Sequence, residues 1–136
     1  MDADESAIIK EFKDLLPAVL VGYNIRNFDI PFLTARALIN GFEDYDVFMK
    51  CRYIDLFDVV KSISTGGKWP TLNFTCQCLG IDVYADVSGA YIPGLWVKAL
   101  KGDERAKQLV EDHCRKDVIK VKQLYAKLKK LIEKDI

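Results

Sequence analysis

The feature that most constrains this chain is its C-terminal stretch, residues 103–133. There Ala106, Val110, His113, Asp117, Val121, Leu124, Leu128 and Leu131 recur at steps of three and four. That spacing predicts one long helix from Asp103 to Glu133, and seven-residue bookkeeping lays all eight side chains along a single stripe. Every member is apolar except His113 and Asp117. An ionised carboxylate on a core-facing stripe is costly unless it is paired, hydrogen-bonded or bound to a cation. Asp117 is therefore expected to have a partner, either a buried ion pair or loop cap, or a metal or catalytic role. His113 stands one helical turn before Asp117, close enough for the two side chains to meet. It is the sole histidine of the chain, hence the one side chain with an ordinary pKa near neutrality. A lone histidine among apolar residues is more often a satisfied core residue than a ligand, and the adjacent inward carboxylate shifts that balance toward a site.

A long amphipathic helix needs a layer to cover. With 136 residues the chain is expected to form a single domain spanning 1–136. Ser6–Leu16 has a helical pattern that Pro17 stops. Ala18 to Val21 is a continuous apolar run followed by Gly22, the signature of a strand buried on both faces. A second helix is expected from Asp29 to Asn40, with Pro31 in its first turn and Gly41 ending it. Cys51–Ile54 is a short strand, Asp55 precedes an apolar-periodic segment reaching Ile63, and Ser64–Pro70 is a loop dense in breakers. Leu72–Leu79 reads as a short helix ended by Gly80, and Ser88–Gly94 as a turn-rich segment. Alternating strands and helices imply an α/β layered domain, although two strands alone make a poor sheet.

A second candidate site runs from Gly22 to Leu33, across a strand end, a turn and a helix start. Asn24 and Asp29 fall outside the carboxyl end of a strand, where ligands of open α/β sheets gather. A carboxylate at a helix N-terminus stays ionised and available to a cation; the simpler reading is that Asp29 caps its helix.

Composition excludes several functions. The formal net charge is zero, so no global attraction draws nucleic acid in, and the basic residues concentrated from Lys98 onward read mainly as a solvated helix face. No apolar run approaches the roughly 20 residues of a membrane span, and the first residues are acidic where an export signal is basic. A cytoplasmic location is expected. Cys51, Cys76, Cys78 and Cys114 lack paired metal-site spacing and are expected to be reduced and mostly buried. The 62–69 segment resembles a phosphate loop only superficially, with Ser62 and Trp69 in place of the required residues. Asn73-Phe74-Thr75 matches a glycosylation acceptor by chance.

The motif Gly22-Tyr23-Asn24-Ile25-Arg26-Asn27-Phe28-Asp29, continued by Ile30-Pro31-Phe32-Leu33, closely resembles the second exonuclease motif of the proofreading domains of family B DNA polymerases and their stand-alone relatives. These are 3′–5′ exonucleases of the RNase H-like superfamily. His113-Cys114-Arg115-Lys116-Asp117 is similar to the superfamily's third motif, and Tyr53-Ile54-Asp55-Leu56 and Thr71–Gly80 look like the strand and helix between them. The resemblance implies an RNase H-like α/β fold, a sheet flanked by helices. It assigns Asp29 and Asp117 as metal-binding carboxylates, Asn24 as orienting the strand end or substrate, and His113 as activating or positioning the attacking water. The implied chemistry is hydrolysis of a terminal phosphodiester with two magnesium or manganese ions.

Two departures stand out. His113 has the three-residue spacing of the subgroup that carries tyrosine at this position. The first motif, an Asp-x-Glu pair on a central strand, has no counterpart: Asp2, Asp4 and Glu5 are the only carboxylates ahead of the first helix and read as helix N-terminal charges. The first three strands of the fold are therefore expected to be missing, and Asp55 becomes a candidate third ligand, weighed against a helix-capping role. Two divalent ions are expected to bind weakly or one at a time. The strand edge beside residues 18–22 would be bare, so the polypeptide is expected to be a fragment, a truncated reading frame, or a chain that completes its sheet with a second copy or another partner. Tyr23, Phe28, Lys68 and Trp69 are candidate contacts to a single-stranded nucleic-acid end, DNA favoured, by stacking and phosphate contact. The alternative function is a catalytically inactive module that keeps the fold for nucleic-acid binding or assembly.

Overall fold

The computed structural model describes residues 4–64, 71–83 and 88–133. Most of the predicted loop, including Lys68 and Trp69, lies outside the described residues. The chain groups into two compact units, Asp2–Lys68 and Trp69–Ile136.

In the first unit, α1 (Glu5–Asp14) starts where Asp4 accepts a hydrogen bond from the Ala7 N–H at 3.3 Å, which satisfies one of the free donors of a helix start. Its Ile9 is buried with Ile25, Ile30, Ala37 and Phe48, and Leu16, Leu20, Leu33, Phe42, Val47 and Cys51 pack around them. Helix α2 (Asp29–Ile39) docks on α1 through polar contacts as well. The Arg36 guanidinium pairs with the Glu5 carboxylate, and Ser6 Oγ donates to Asn40 Oδ1 at 2.9 Å. Gly41, at φ 80°, turns the chain after α2, a conformation that a Cβ disfavours. A one-turn helix α3 (Val47–Lys50) follows and carries the buried Phe48. The sequence reading missed it because a single turn is too short to show a period.

Strand β1 (Leu20–Gly22) pairs in parallel with β2 (Tyr53–Asp55), with Leu20 opposite Tyr53, Val21 opposite Ile54 and Gly22 opposite Asp55. Helix α4 (Leu56–Ile63) follows directly. This is a mixed α/β arrangement whose sheet has two strands among the described residues. The expectation that β1 is buried on both faces is corrected. Ala18 is exposed, and Val19, Leu20 and Val21 are only half-buried, Leu20 being the one of the four that packs against the cluster around Ile9.

In the second unit, α5 (Leu72–Cys78) is capped by the Thr71 hydroxyl, which accepts from Phe74 N at 3.1 Å. A 3₁₀ turn (Gly89–Tyr91) leads into α6 (Ile92–Leu100). The segment around Ser88–Gly94 is therefore the start of a helix and not only a turn. Pro93 sits in the first turn of α6, where a missing N–H costs nothing. Gly102, at φ 99°, reverses the chain, and Asp103 accepts from Ala106 N at 3.0 Å to start α7 (Glu104–Glu133), which packs against α5 and α6.

The buried positions of α7 are Ala106, Val110, Lys120, Leu124, Leu128 and Ile132. Two stripe assignments are thus corrected: Lys120 is buried and Val121 only half so, and Ile132 is buried where Leu131 is exposed. At about 100° per residue, Lys120 lies about 40° from the direction of Ala106 and Val121 about 60° on the other side. Angle alone does not decide burial on this helix, since Ile132 lies about 80° from the direction of Ala106 and is buried while Leu131 lies about 20° from it and is exposed; the lysine is accommodated because Asn73 on α5 accepts from its ammonium. The cysteines differ in part from expectation: none forms a disulfide, but Cys78 and Cys114 are exposed, Cys51 is half-buried and Cys76 alone is buried. Among the described residues no helix is long and apolar enough to cross a membrane.

Candidate functional site

In the first unit the site is the loop that joins β1 to α2. Gly22 is required at its start, because a Cβ there would lie 2.3 Å from Ile25 Cγ2. Asn24 takes the left-handed conformation, φ 61°, which asparagine tolerates better than most residues. The residue that shapes the loop is Asp55, only 5% exposed at the end of β2. Its Oδ1 accepts from Asn24 N at 2.7 Å and from Phe57 N at 3.0 Å, and its Oδ2 accepts from Arg26 N at 3.0 Å. One buried carboxylate thereby caps α4 and folds the β1–α2 loop. The cap weighed for Asp55 is present, and the loop contacts are an addition that the sequence did not reveal.

Asp29 follows as the first residue of α2, exposed at its surface. It does not cap its helix: the N-cap is Phe28, which makes no side-chain hydrogen bond. Partial desolvation, and then the negative charge of Asp55, push the Asp29 carboxyl above the usual carboxylate range. Phe28 and Phe32 are 64% and 54% exposed and stack with parallel rings, centroids 6.0 Å apart. Tyr23 instead packs edge-on against Phe57 at 5.4 Å, and the Asn24 side-chain carbonyl accepts from Asn27 Nδ2 at 3.3 Å.

In the second unit, Asp117 projects from the middle of α7 with its side chain 42% exposed. His113 Nε2 lies 3.3 Å from Asp117 Oδ2, the one-turn juxtaposition expected from the sequence. Asp117 is half-buried and not fully inward. Lys120 Nζ lies 3.5 Å from Asp117 Oδ1 and donates to Asn73 Oδ1 on α5 at 2.8 Å. The Lys120 side chain is 1% exposed. Cys76, one turn along α5 from Asn73, feels the same group of charges: burial raises its thiol pKa, Lys120 opposes the rise and Asp117 adds to it.

The structure thus brings Asp29, Asp55, Asn24 and Tyr23 into one loop system in the first unit, and His113 and Asp117 together in the second. Sequence reasoning missed Lys120 and Asn73. Both become visible only through the contact between α5 and α7. Among the described residues no three or more His, Cys, Asp or Glu side chains cluster as a metal site.

Residues 2–129 match the RNase H superfamily, and the chain belongs to it. The mixed α/β arrangement with its small parallel sheet is consistent with part of that fold. The chain is also 31% identical over 134 residues to an uncharacterized protein of Methanocaldococcus jannaschii, an alignment that takes in 92% of this chain and 74% of the relative. No solved structure matches it.

Proposed function

We propose that this protein is a metal-dependent 3′–5′ exonuclease that hydrolyses the terminal phosphodiester of a single-stranded nucleic-acid end, DNA in the first instance. The observation that carries the reading is the Asp29 carboxyl. It stands at the solvent-facing start of α2, uncommitted to a cap and held beside the buried charge of Asp55. A hard cation would offset both the desolvation of that carboxylate and its repulsion by Asp55, and oxygen donors of this kind suit magnesium or manganese.

In this reading Asp29 and Asp117 are the metal-holding carboxylates. Asp55, with three backbone N–H groups already on it, contributes charge and loop shape more than a free lone pair. Bound magnesium or manganese supplies Lewis acidity to a water nucleophile and to the departing oxygen. His113, 3.3 Å from Asp117, positions the water or accepts its proton. The exposed Phe28 ring, stacked on Phe32, offers a base a flat apolar platform, an interaction worth about 1–3 kcal/mol per base. Asn24 and Tyr23 shape the floor of the loop, and Lys68 and Trp69 are assigned to the passing strand. Pairing of the outer edge of β1 with a second copy or another chain belongs to the same reading, and mass measured by light scattering tests it.

The deciding experiment is release of mononucleotides from a 3′-end-labelled single strand in magnesium or manganese, with Asp29→Asn and Asp117→Asn as controls. Metal-dependent release by the native chain, lost in both variants, is the expected result. Release that persists in either variant would overturn the assignment of that residue. A second reading, an inactive module that binds nucleic acid, is favoured by one observation: both oxygens of Asp117 already have cationic or imidazole neighbours. Strand binding without hydrolysis in either metal would select it.

A further inference from the structure

A lysine that is 1% exposed is rare, because removing an ammonium from water is costly unless its charge and its three N–H donors are compensated. Lys120 has two compensating groups in view. Asn73 Oδ1 takes a short hydrogen bond at 2.8 Å, and Asp117 Oδ1 lies at 3.5 Å. The stronger contact goes to the neutral amide and the looser one to the carboxylate. Asn73 is itself exposed, at the start of α5, so the ammonium is held from the α5 side and leans only weakly on Asp117. The Asp117 side chain remains 42% open to solvent. Cys76 lies within the field of both charges.

This geometry gives the lysine a role that burial alone does not. A divalent cation arriving at Asp117 meets a fixed positive charge on the protein side of the same carboxylate. Repulsion between a doubly charged ion and an ammonium several ångströms away, partly screened, changes affinity by about tenfold. How strongly it acts depends on which acceptor holds the ammonium.

Resting on the metal-binding reading of Asp117, we propose that Lys120 and Asn73 are positioning residues that set the cation affinity of that carboxylate: Lys120 is a built-in competitor of the metal, and Asn73 draws it off Asp117 far enough for the metal to bind. The two residues act in opposite directions, which a purely structural role for either would not produce.

The test is titration of the full chain with manganese alone, followed by calorimetry and by water-proton relaxation, so that no turnover is needed. Lys120→Met keeps the length and apolar stem of the side chain and is expected to bind manganese about tenfold more tightly. Asn73→Ala leaves the ammonium with Asp117 as its remaining acceptor and is expected to weaken binding several-fold, and Lys120→Arg is expected to stay close to the native value. Should Lys120→Met lose its cooperative unfolding transition, Asn73→Ala and Asn73→Asp, both at an exposed position, carry the test with opposite expected signs. If Asp117→Asn lowers manganese binding while Lys120→Met and Asn73→Ala remain within twofold of the native chain, this proposal fails and the metal reading survives. If Asp117→Asn binds as well as the native chain, both fail together.

Discussion

The carboxylate of Asp55 holds the backbone N–H of Asn24 at 2.7 Å across the parallel pair β1–β2. It makes this contact while capping α4 through Phe57 and pinning Arg26. A single buried charge therefore fixes the loop that presents Asp29. Three backbone donors are satisfied at one point, and removing the side chain takes this acceptor from all three.

Asp55→Ala is accordingly expected to destabilise the chain by about 2–4 kcal/mol, combining a lost helix cap with charge-assisted hydrogen bonds to part-buried donors. Asp55→Asn keeps the shape and one acceptor oxygen and is expected to cost less. Urea unfolding followed by circular dichroism gives both values. A loss below about 0.5 kcal/mol for the alanine variant would show that the loop does not depend on this residue.

Gly22→Ala places a methyl group 2.3 Å from Ile25 Cγ2, and Ile25 is buried and β-branched, so it has little freedom to move aside. The expected cost is about 1–3 kcal/mol. Gly22→Ala with Ile25→Val, which shortens the crowded side chain while keeping its branch, is expected to recover little, because Cγ2 remains. Ile25→Ala in the same background removes that atom and should relieve the clash at the cost of a cavity. Melting curves of the single and double variants separate these terms.

The pairing of Glu5 with Arg36 ties α1 to α2. Arg36, helped by Asn40, holds the Glu5 carboxyl down to about 2 from its ordinary 4.5. The folded chain thus takes up this proton later than the unfolded chain does. The stabilisation is fully present above pH 4.5 and is lost as the pH falls toward 2. Glu5→Gln should flatten the acid limb of the melting-temperature profile in that window. An unchanged limb would mean that the pair does not persist in solution.

Asp29 carries the opposite sign. Its carboxyl is raised above the ordinary 3.8 by desolvation and by Asp55, so ionisation works against folding. The stabilisation linked to its protonated form is complete below 3.8 and is lost as the pH rises through the higher folded value. In the presence of a chelator, Asp29→Asn is therefore expected to melt about 1–3 °C above the native chain at pH 7, a gain that disappears below pH 3.8. Magnesium should narrow the difference by stabilising the native chain alone. A native chain that melts higher than the variant in chelator would contradict the strain at this position.

Much of the molecule was legible from local patterns. The first helix before Pro17, the end of α2 at Gly41, the helix from Leu72 and the thirty-residue α7 follow from periodicity and breakers, each set by residues within a few positions of one another. The meeting of His113 with Asp117 follows from one turn of helix. What local pattern lacked was any record of which contacts across the chain satisfy a polar group. Asp55 looks the same in the sequence whether it caps one helix or also holds a loop 31 residues away in the chain, as it does with Asn24. Lys120 reads as a solvated lysine until α5 brings Asn73 within 2.8 Å of it. The order of α1, β1, α2, β2, α4, α5 and α7 and the identity of the candidate carboxylates were determined by the sequence, because spacing and residue type act at short range, whereas α3 and α6 were not legible in it. The tertiary structure decided which charges are buried, which are held and which remain open to a ligand, because burial and long-range hydrogen bonding exist only once distant segments are packed together.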